Sequence, residues 1–366
     1  MANKKGSSMN YFRKDLYQKH DIEVSVPHRK IMMCLNESTL NPFIQLREDF
    51  LTQLEKVPVN RYFNNITTEL STELSSFAGV PENHLAFGNG ADEMLYFIFL
   101  AVRDSADSYA VALSPSYFDY KTYSHSVDLK IKLVDLDEHF GFSYHKYMKT
   151  CNNPNCKLAI LCNPNNPTGN LFDKETLLRI IKSSKRLVLL DETYYEFSGI
   201  SLMDHIHTFD NLVIVRSFSK SFSAAGLRFG YMISQPQNIK QIKKVMTYFH
   251  MNLITQAFAT SMLKNKSIFL EHNQKVIQMR DNMCIELSKI NGIKVYSSST
   301  NFLIFSAGDK SKPLFQYLLD NDIAIRPVWN HQLLKNCLRV TISSSEDNAL
   351  FLQKVKEFFN KDIMIK

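Results

Sequence analysis

Short apolar runs that predict buried strands alternate with helical patterns over much of the chain, and this alternation constrains the fold more than any other feature. Four of the runs are Tyr109–Leu113, Leu158–Cys162, Leu187–Leu190 and Leu212–Val215. Between the second and third runs, the apolar residues of Lys174–Lys185 recur at helical spacing after a candidate cap at Asp173. The order strand, helix, strand predicts an α/β architecture with a mostly parallel sheet.

The pattern changes towards the C-terminus, where a smaller α+β domain is predicted. Asn301–Phe305 and Leu338–Ile342 have the composition of strands, and the segment from Ser345 onward carries an apolar stripe at helical spacing. The boundary is expected near Asn265, within a long helical stretch from Ile239 to Ile290.

Composition excludes several classes of protein. The chain has 366 residues, 45% of them hydrophobic, and its net charge of +7 comes from scattered lysines without a basic stripe, so we expect no nucleic-acid partner. The longest apolar stretch, Met94–Val102, is about half of the ~20 residues of a membrane helix, and Met1–Asn10 lacks the apolar region of a signal peptide. Six cysteines do not suggest a disulfide framework, and Cys151 and Cys156 lack further metal ligands nearby. We therefore expect a cytoplasmic protein without a metal or a membrane contact.

Lys220 is the residue that most directly indicates chemistry. It lies in Ser217–Phe222, just after the predicted strand Leu212–Val215, among small hydroxyl residues and eight positions before Arg228. Its amine can form a Schiff base with an aldehyde, while the hydroxyls and the guanidinium neutralise a phosphate. The combination indicates pyridoxal phosphate.

Other polar residues follow strands or precede helices, where ligands of open α/β sheets gather. Gly88–Gly90 leads into an apolar helical run, so its N–H groups can bind a phosphate, although a tight turn explains the glycines equally well. Asp191 can keep a ring nitrogen protonated, or it caps a helix. Asn166 lies in a loop dense in turn formers, and Arg339 suits a substrate carboxylate or phosphate as well as a surface ion pair.

Together these segments resemble the class I/II aminotransferases of fold type I, and in particular the histidinol-phosphate aminotransferase family. The resemblance runs from about Leu35 to the C-terminal helix. Its motifs stand in the family's order, and they are Asn60–Tyr62, Gly88–Glu93, Pro115–Tyr117, Asn165–Gly169, Asp191–Tyr194, Ser219–Lys220 with Arg228, and Leu338–Arg339.

The resemblance implies a fold and a domain organisation. It implies a three-layer α/β/α large domain with a mostly parallel sheet, over residues 45–265, and a smaller α+β domain over residues 266–366. Residues 1–44 are implied to form an N-terminal segment that packs with the small domain. A homodimer is implied as well, because Tyr62 is expected to reach the cofactor phosphate of the neighbouring subunit.

The resemblance also implies a role for each matched residue. Lys220 holds the cofactor and shuttles the proton, and Asp191 pairs with the ring nitrogen. Tyr194 and Asn166 hold the ring oxygen, and Tyr117 stacks on the ring. The residues implied around the phosphate are Gly90, Ala91, Asp92, Ser217, Ser219 and Arg228. Arg339, with Arg326 as a second contact, is expected to bind the acidic group of the substrate.

Three departures from the family's pattern lie on the substrate side. The stretch Leu35–Pro42 lacks the usual tyrosine, Tyr248–Asn252 replaces a Pro-Tyr-Asn-Val-Asn element, and Ser344–Glu346 replaces Thr-Arg-Glu. The cofactor residues are unchanged, so transamination is the expected reaction while the substrate is either histidinol phosphate or another amino acid or amino phosphate of a specialised pathway. His250 is a candidate substrate contact.

Two further hypotheses remain beside an aminotransferase that uses an amino donor and a 2-oxo acid acceptor. One is a decarboxylase on the same scaffold, similar to the threonine-phosphate decarboxylases, because the lysine chemistry does not decide which substrate bond breaks. The other is a cofactor-sensing regulator, which usually adds a DNA-binding domain for which the chain has no spare length before Leu35.

Overall fold

A computed structural model describes residues 28–62 and 64–361 together with Tyr11, Arg13 and Leu16. Most of the predicted N-terminal segment before residue 28, including Met1–Asn10, lies outside the described residues. The strands are β1 (Ile31–Met32), β2 (Leu85–Gly88), β3 (Tyr109–Ser114), β4 (Lys130–Asp135), β5 (Cys156–Cys162), β6 (Leu187–Asp191), β7 (Leu212–Ser217), β8 (Gly230–Ser234), β9 (Lys294–Val295), β10 (Phe302–Ser306), β11 (Ile323–Ala324), β12 (Arg326–Pro327) and β13 (Cys337–Thr341).

The helices lie between the strands and at the end of the described chain. They are α1 (Pro42–Gln45), α2 (Arg47–Glu55), α3 (Ile66–Ala78), α4 (Gly90–Val102), α5 (Asp119–Ser126), α6 (Tyr144–Cys151), α7 (Lys174–Ser183), α8 (Tyr195–Ser198), α9 (Phe218–Ser221), α10 (Pro236–Lys243), α11 (Leu253–Lys264), α12 (Lys266–Ser288), α13 (Ser311–Asp320) and α14 (Ser345–Lys361).

A seven-stranded sheet in the order β2-β8-β7-β6-β5-β3-β4 forms the centre of the molecule. Strand β8 is antiparallel to β2 and β7, and the other pairs are parallel. Residues that alternate along each central strand join two different apolar clusters, with Val188 and Leu190 in one and Leu189 in the other. The sheet is therefore buried on both faces, as parallel sheets require. The predicted α/β fold with a mostly parallel sheet is confirmed.

The four strands predicted from sequence all form, and each contains the predicted run. The structure extends them by one or two residues. In β3, β6 and β7 the extra residues are the polar ones that end the strand, for example Asp191 in β6, whereas β5 begins two residues earlier, at Cys156. Asp173 caps α7 as predicted, since its side chain accepts a hydrogen bond from the backbone N–H of Thr176 at 2.8 Å. The carboxyl ends of β5, β6 and β7 thus meet at one edge, where Cys162 lies opposite Asp191 and Asp191 opposite Val215.

The prediction of one helical stretch from Ile239 to Ile290 is wrong, because α10, α11 and α12 are separate. The chain leaves the helical path between α10 and α11, where Phe249 has a φ of 53°. Asn252 then starts α11, and its side chain accepts a hydrogen bond from Thr255 N–H at 2.8 Å. A positive φ at a non-glycine residue depends on tertiary contacts, so the sequence offers the cap residue Asn252 but no signal for the break at Phe249 itself.

A smaller antiparallel sheet, β12-β13-β10-β9, lies in the C-terminal part of the chain, and the short strand β1 pairs in parallel with β11. Helix α14 covers this region with an apolar stripe in which Phe351 and Val355 are fully buried. The predicted α+β character of the C-terminal part is confirmed. The boundary near Asn265 stays a prediction.

Candidate active site

An anion-binding end is built where α4 begins. Gly90 opens this helix with a φ of 87°, and a side-chain carbon at Gly230 of β8 would collide with the backbone of Gly90 and Ala91. The two backbones therefore approach closely only because residue 230 is glycine, while the positive φ of residue 90 also favours glycine. The N–H groups in the first turn of a thirteen-residue helix favour a negatively charged ligand.

Arg228 brings a positive charge to the same helix end. Its Nη2 donates to Asp92 Oδ2 at 2.7 Å, and Asp92 Oδ1 accepts from the Tyr117 hydroxyl at 3.1 Å. Arg228 itself has a φ of 58°, which directs its side chain to Gly90, where an added carbon would lie 2.6 Å from Nη2. The structure thus brings Gly90, Ala91, Asp92, Tyr117 and Arg228 together.

Ser217 and Ser219 lie beside this helix end. Ser217 ends β7 opposite Gly230, and its Oγ accepts from the N–H of Ser219 at 3.1 Å, which caps the short helix α9. Both serines are buried. The hydroxyl groups predicted to face the phosphate are therefore close to the glycine contact.

Lys220 sits within α9 and is half-buried. Its Nζ donates a hydrogen bond to the carbonyl oxygen of Leu35 at 2.9 Å. Burial, followed by the positive charge of Arg339, lowers the pKa of Lys220 to about 8, although Glu37 and Asp92 oppose the shift. The amine is accordingly deprotonated far more readily than an ordinary lysine, and a neutral amine is a nucleophile and a base.

Asp191 ends β6 as a buried carboxylate with 4% of its surface exposed. Its Oδ2 accepts from the Tyr120 hydroxyl at 2.6 Å, and its Oδ1 accepts from the N–H and the hydroxyl of Thr193 at 3.1 and 2.6 Å. Burial raises the pKa of Asp191 above its ordinary value, while the donors from Thr193 and Tyr120 oppose the rise. No Lys, Arg or His side chain of the described residues forms an ion pair with this carboxylate.

Asn166 and Arg339 contact each other. Arg339 Nη1 donates to Asn166 Oδ1 at 2.7 Å, and Nη2 donates to the carbonyl oxygen of Cys34 at 3.0 Å. The Arg339 Nε is buried and has no hydrogen-bond acceptor among the described residues. Arg326 lies beside Arg339, since the two residues face each other across the β12–β13 pair.

Tyr194 is held through Asn36. The Asn36 side-chain amide donates to the Tyr194 hydroxyl oxygen at 2.8 Å, while burial raises the pKa of Tyr194 to about 12. Asn36 is itself fixed by its backbone N–H, which donates to Thr341 Oγ1 at 3.0 Å, and it adopts a φ of 56°. The phenol therefore stays protonated at neutral pH.

Two predicted residues lie apart from the others. Tyr62 is 74% exposed and stacks on Phe249 with ring centroids 4.8 Å apart. His250 packs behind the glycine turn, where its ring nitrogens contact the carbonyl oxygens of Phe87 and Thr247 at 3.1 and 3.0 Å. A role for His250 in substrate binding stays a prediction, and both ring nitrogens already have partners.

Sequence reasoning missed several groups that touch the site residues. Three are the carbonyl oxygens of Cys34 and Leu35 and the side chain of Asn36, which come from one irregular segment after β1. Every residue has a backbone carbonyl, so the sequence does not indicate which carbonyls will contact a site residue. Tyr120 was missed as well, although it follows the predicted Tyr117 by only three positions.

The described residues lack two further kinds of feature. Within that part of the chain, no helix combines the length and the apolar composition needed to cross a membrane. Nor do three or more His, Cys, Asp or Glu side chains of those residues converge in the way that a metal ion requires.

Comparisons with known proteins place this geometry in a family. Residues 28–355 match the family model described as aminotransferase class I and II. Histidinol-phosphate aminotransferase of Caldanaerobacter subterraneus subsp. tengcongensis is 31% identical over 353 residues, which cover 96% of this chain and 99% of the relative.

Two solved structures share the fold. Histidinol-phosphate aminotransferase from Sinorhizobium meliloti in complex with pyridoxal-5'-phosphate has a TM-score of 0.84 at 20% identity, covering 97% of this chain and 99% of that one. L-threonine-O-3-phosphate decarboxylase from Porphyromonas gingivalis has a TM-score of 0.76 at 22% identity, covering 90% and 99%. At such identities the likeness establishes the architecture alone.

Proposed function

The chain belongs to the aminotransferases of class I and II, which use pyridoxal phosphate, and from this membership we propose the substrates and the residues that carry the reaction. The family match confirms the predicted enzyme class and its cofactor. The enzyme is proposed to transfer an amino group between an amino acid or amino phosphate and a 2-oxo acid, with Lys220 as the residue that binds the cofactor and moves the proton. A cytoplasmic location stays a prediction.

The described residues fit pyridoxal phosphate. Asp191 is a buried carboxylate without a cation, which suits a protonated ring nitrogen. Lys220 offers an amine that loses its proton easily, which suits an aldehyde. The close backbone contact at Gly230, with Arg228 beside it, offers N–H donors and a guanidinium to a phosphate. One group with an aldehyde, a basic ring nitrogen and a phosphate satisfies all three.

Each part of the cofactor is assigned to its own set of side chains in this proposal. Asp191 holds the ring nitrogen, Asn166 and Tyr194 hold the ring oxygen, and Tyr117 covers one ring face. The phosphate is assigned to Gly90, Ala91, Asp92, Ser217, Ser219 and Arg228. The contact of Gly90 with Arg228, and the pairing of Ser217 with Gly230, support the assignment.

Lys220 is the proposed acid–base group. When bound, pyridoxal phosphate withdraws electrons from the amino-bearing carbon of the substrate and so makes its proton acidic. A free Lys220 amine takes that proton at Nζ and later returns it, a task for which a pKa of about 8 is well suited at neutral pH. The Leu35 carbonyl, which accepts from Nζ at 2.9 Å, orients the amine.

Arg339 is the proposed site for the anionic group of the substrate. Its buried Nε has no acceptor, while Nη1 and Nη2 are already held by Asn166 and the Cys34 carbonyl. A carboxylate or phosphate oxygen would satisfy the free donor, and the neighbouring Arg326 adds positive charge. The unpaired Nε is the single observation that most supports an acidic substrate.

A homodimer is part of the proposal, because Tyr62 is assigned to the phosphate of the neighbouring subunit. Tyr62 and Phe249 form an exposed aromatic pair, and Tyr248 next to them is 94% exposed. Large exposed apolar side chains that lie together mark surfaces where proteins associate. A second copy of this chain is the partner that family membership indicates.

The natural substrate is proposed as histidinol phosphate or a related amino acid or amino phosphate. The curated relative carries the name histidinol-phosphate aminotransferase. The three departures at Leu35–Pro42, Tyr248–Asn252 and Ser344–Glu346 favour a related compound over histidinol phosphate itself. Substrate choice depends on contacts with the substrate itself, and these three segments are where the sequence departs from the pattern of the histidinol-phosphate aminotransferase family.

A donor panel tests the proposed reaction. Purified enzyme with pyridoxal phosphate and 2-oxoglutarate is expected to convert at least one acidic amino acid or amino phosphate, with one glutamate formed for each donor consumed. Glutamate is measured by mass spectrometry and carbon dioxide by a coupled assay in the same reactions. Carbon dioxide released without glutamate would establish the decarboxylase instead, a function to which the fold shared with L-threonine-O-3-phosphate decarboxylase also gives support.

The pKa of Lys220 predicts the pH dependence of cofactor attachment. The folded protein lowers this pKa to about 8. The fraction of molecules in which the Lys220 amine is neutral should therefore increase about tenfold for each pH unit up to that value and then level off. The rate at which apoenzyme takes up pyridoxal phosphate, followed by absorbance and by borohydride trapping, should rise in the same way. In Arg339→Gln the midpoint should move to higher pH, since a nearby positive charge is lost. A rate that is flat from pH 6 to pH 9 would contradict the prediction.

A further inference from the structure

Asp191 has a hydrogen-bond donor on each of its two oxygens, and the donors come from different elements. Thr193, two residues along the chain, donates hydrogen bonds to Oδ1 from its N–H and its hydroxyl. Tyr120, from α5, serves Oδ2 through a hydroxyl at 2.6 Å. No comparable local reason exists for Tyr120 to reach Asp191, since the residues are 71 positions apart.

The Tyr120 contact is shielded from water. Tyr120 is 2% exposed and Asp191 is 4% exposed. The Tyr120 ring packs edge-on against Tyr117, with ring centroids 5.4 Å apart and an interplanar angle of 87°. The Cys162 thiol lies beside the hydroxyl on the same side. A hydrogen bond from a hydroxyl to a carboxylate is short and strong in such surroundings, because water does not compete for either partner.

A donor on a carboxylate changes where a shared proton rests. A buried carboxylate and a ring nitrogen have one proton between them, and the more basic partner keeps it. Burial alone makes a carboxylate more basic, whereas each hydrogen bond that it accepts makes it less basic. With its donors in place, the carboxylate stays ionised and the proton stays on the ring nitrogen.

We propose that Tyr120 is a positioning residue that holds Asp191 ionised and aims it, so that the proton it shares with the cofactor remains on the ring nitrogen. The inference rests on the proposed role of Asp191 toward the cofactor. Thr193 fixes the other oxygen, and Tyr120 ties the orientation of the carboxylate to α5 and to the ring of Tyr117. Tyr120 acts through Asp191 and is not itself assigned to the substrate or the cofactor.

The matched test compares Tyr120→Phe with Tyr147→Phe. Tyr147, in α6, is equally buried, and its hydroxyl donates to the carbonyl of Ile160 at 2.9 Å, so Tyr147→Phe removes the same hydroxyl group from a buried helical tyrosine without touching Asp191. Pyridoxal phosphate labelled with ¹⁵N in the ring is bound to each variant, and its NMR shift reports the protonation of the nitrogen. Affinity of the apoenzyme for pyridoxal phosphate is measured beside it.

In Tyr120→Phe the nitrogen signal is expected to move toward that of a neutral pyridine, and the affinity to fall roughly tenfold, the loss typical of a hydrogen bond to a charged group. In Tyr147→Phe both are expected to stay at wild-type values. Equal values for the two variants would overturn the inference. A pyridoxal phosphate analogue with carbon in place of the ring nitrogen should bind wild type and Tyr120→Phe with the same affinity.

Asp191→Asn separates the inference from the proposed function beneath it. A nitrogen signal that is unchanged in Asp191→Asn would refute the role of Asp191, and with it both proposals. A signal that moves in Asp191→Asn but not in Tyr120→Phe would refute the role of Tyr120 alone.

A measurement on the wild-type protein covers the case in which Tyr120→Phe does not fold. The hydroxyl proton in the 2.6 Å contact should give a far-downfield ¹H signal that is lost in Asp191→Asn. The absence of such a signal, or its persistence in Asp191→Asn, would count against the contact on which the inference depends.

Discussion

Lys220→Ala is expected to abolish turnover while the protein still folds, with a loss of roughly 10⁴-fold or more. The substitution removes the amine that attaches the cofactor and moves the proton in the proposed reaction. Folding should be preserved, because Lys220 makes one hydrogen bond, to the Leu35 carbonyl, and its half-buried amine contributes no ion pair among the described residues. Turnover by a coupled glutamate assay, circular dichroism and borohydride labelling of the cofactor are the measurements.

Lys157→Ala is the matched control for Lys220→Ala. Lys157 is also half-buried, but it lies near the start of β5, at the edge of the sheet opposite to the one where Lys220 follows β7, and it pairs with Asp104 at 2.8 Å. Its removal should leave turnover and borohydride labelling near wild-type values. Activity of Lys220→Ala at the level of Lys157→Ala would end the assignment of Lys220 as the cofactor lysine.

Arg339→Ala is expected to lower kcat/KM for acidic substrates roughly 100-fold, because the charge-assisted hydrogen bond from Nε and the positive charge beside the substrate anion are both lost. The effect should fall mainly on KM, since Arg339 is assigned to binding the anionic group of the substrate and takes no part in the proton transfer. Arg339→Lys should recover part of the affinity, because the positive charge returns but the Nε–H donor of the guanidinium does not. Steady-state kinetics with the best donor of the panel give both constants.

Arg280→Ala controls for the loss of a buried arginine. Arg280 is 8% exposed, and its Nη1 donates to the carbonyl of Thr300 at 3.1 Å, away from Lys220 and Asp191. Its removal should reduce stability more than substrate affinity, since it leaves a buried carbonyl unpaired. A KM for acidic substrates that is the same in Arg339→Ala and in wild type would refute substrate binding by Arg339.

The sheet and the cofactor end of the site were predictable from sequence because local patterns determine both. A buried strand needs an apolar run, and Leu187–Leu190 is one. A tight turn before a helix favours glycine, so the turn at Gly88–Gly90 can be recognised in the sequence. The cap at Asp173 follows from the same kind of rule. These features depend on neighbours in sequence.

The polar contacts behind the site were not predictable for the opposite reason. Leu35 reaches Lys220 across 185 positions and Asn36 reaches Tyr194 across 158, so only the folded path brings them together. The contact of Tyr120 with Asp191 is of the same kind. The break near Phe249 depends on a left-handed backbone that a non-glycine residue adopts only under tertiary constraint.

The segment that follows β1 contacts the side chains of both Lys220 and Arg339. Its carbonyls hold the Lys220 amine and the Arg339 guanidinium, and it is anchored to β13 where the Thr341 N–H donates to the Met33 carbonyl at 2.9 Å. The Lys220 amine and the Arg339 guanidinium are therefore held by two adjacent carbonyl groups of the same segment, those of Leu35 and Cys34. We expect a shift of Arg339 that displaces the Cys34 carbonyl to displace the adjacent Leu35 carbonyl too, and with it the Lys220 amine.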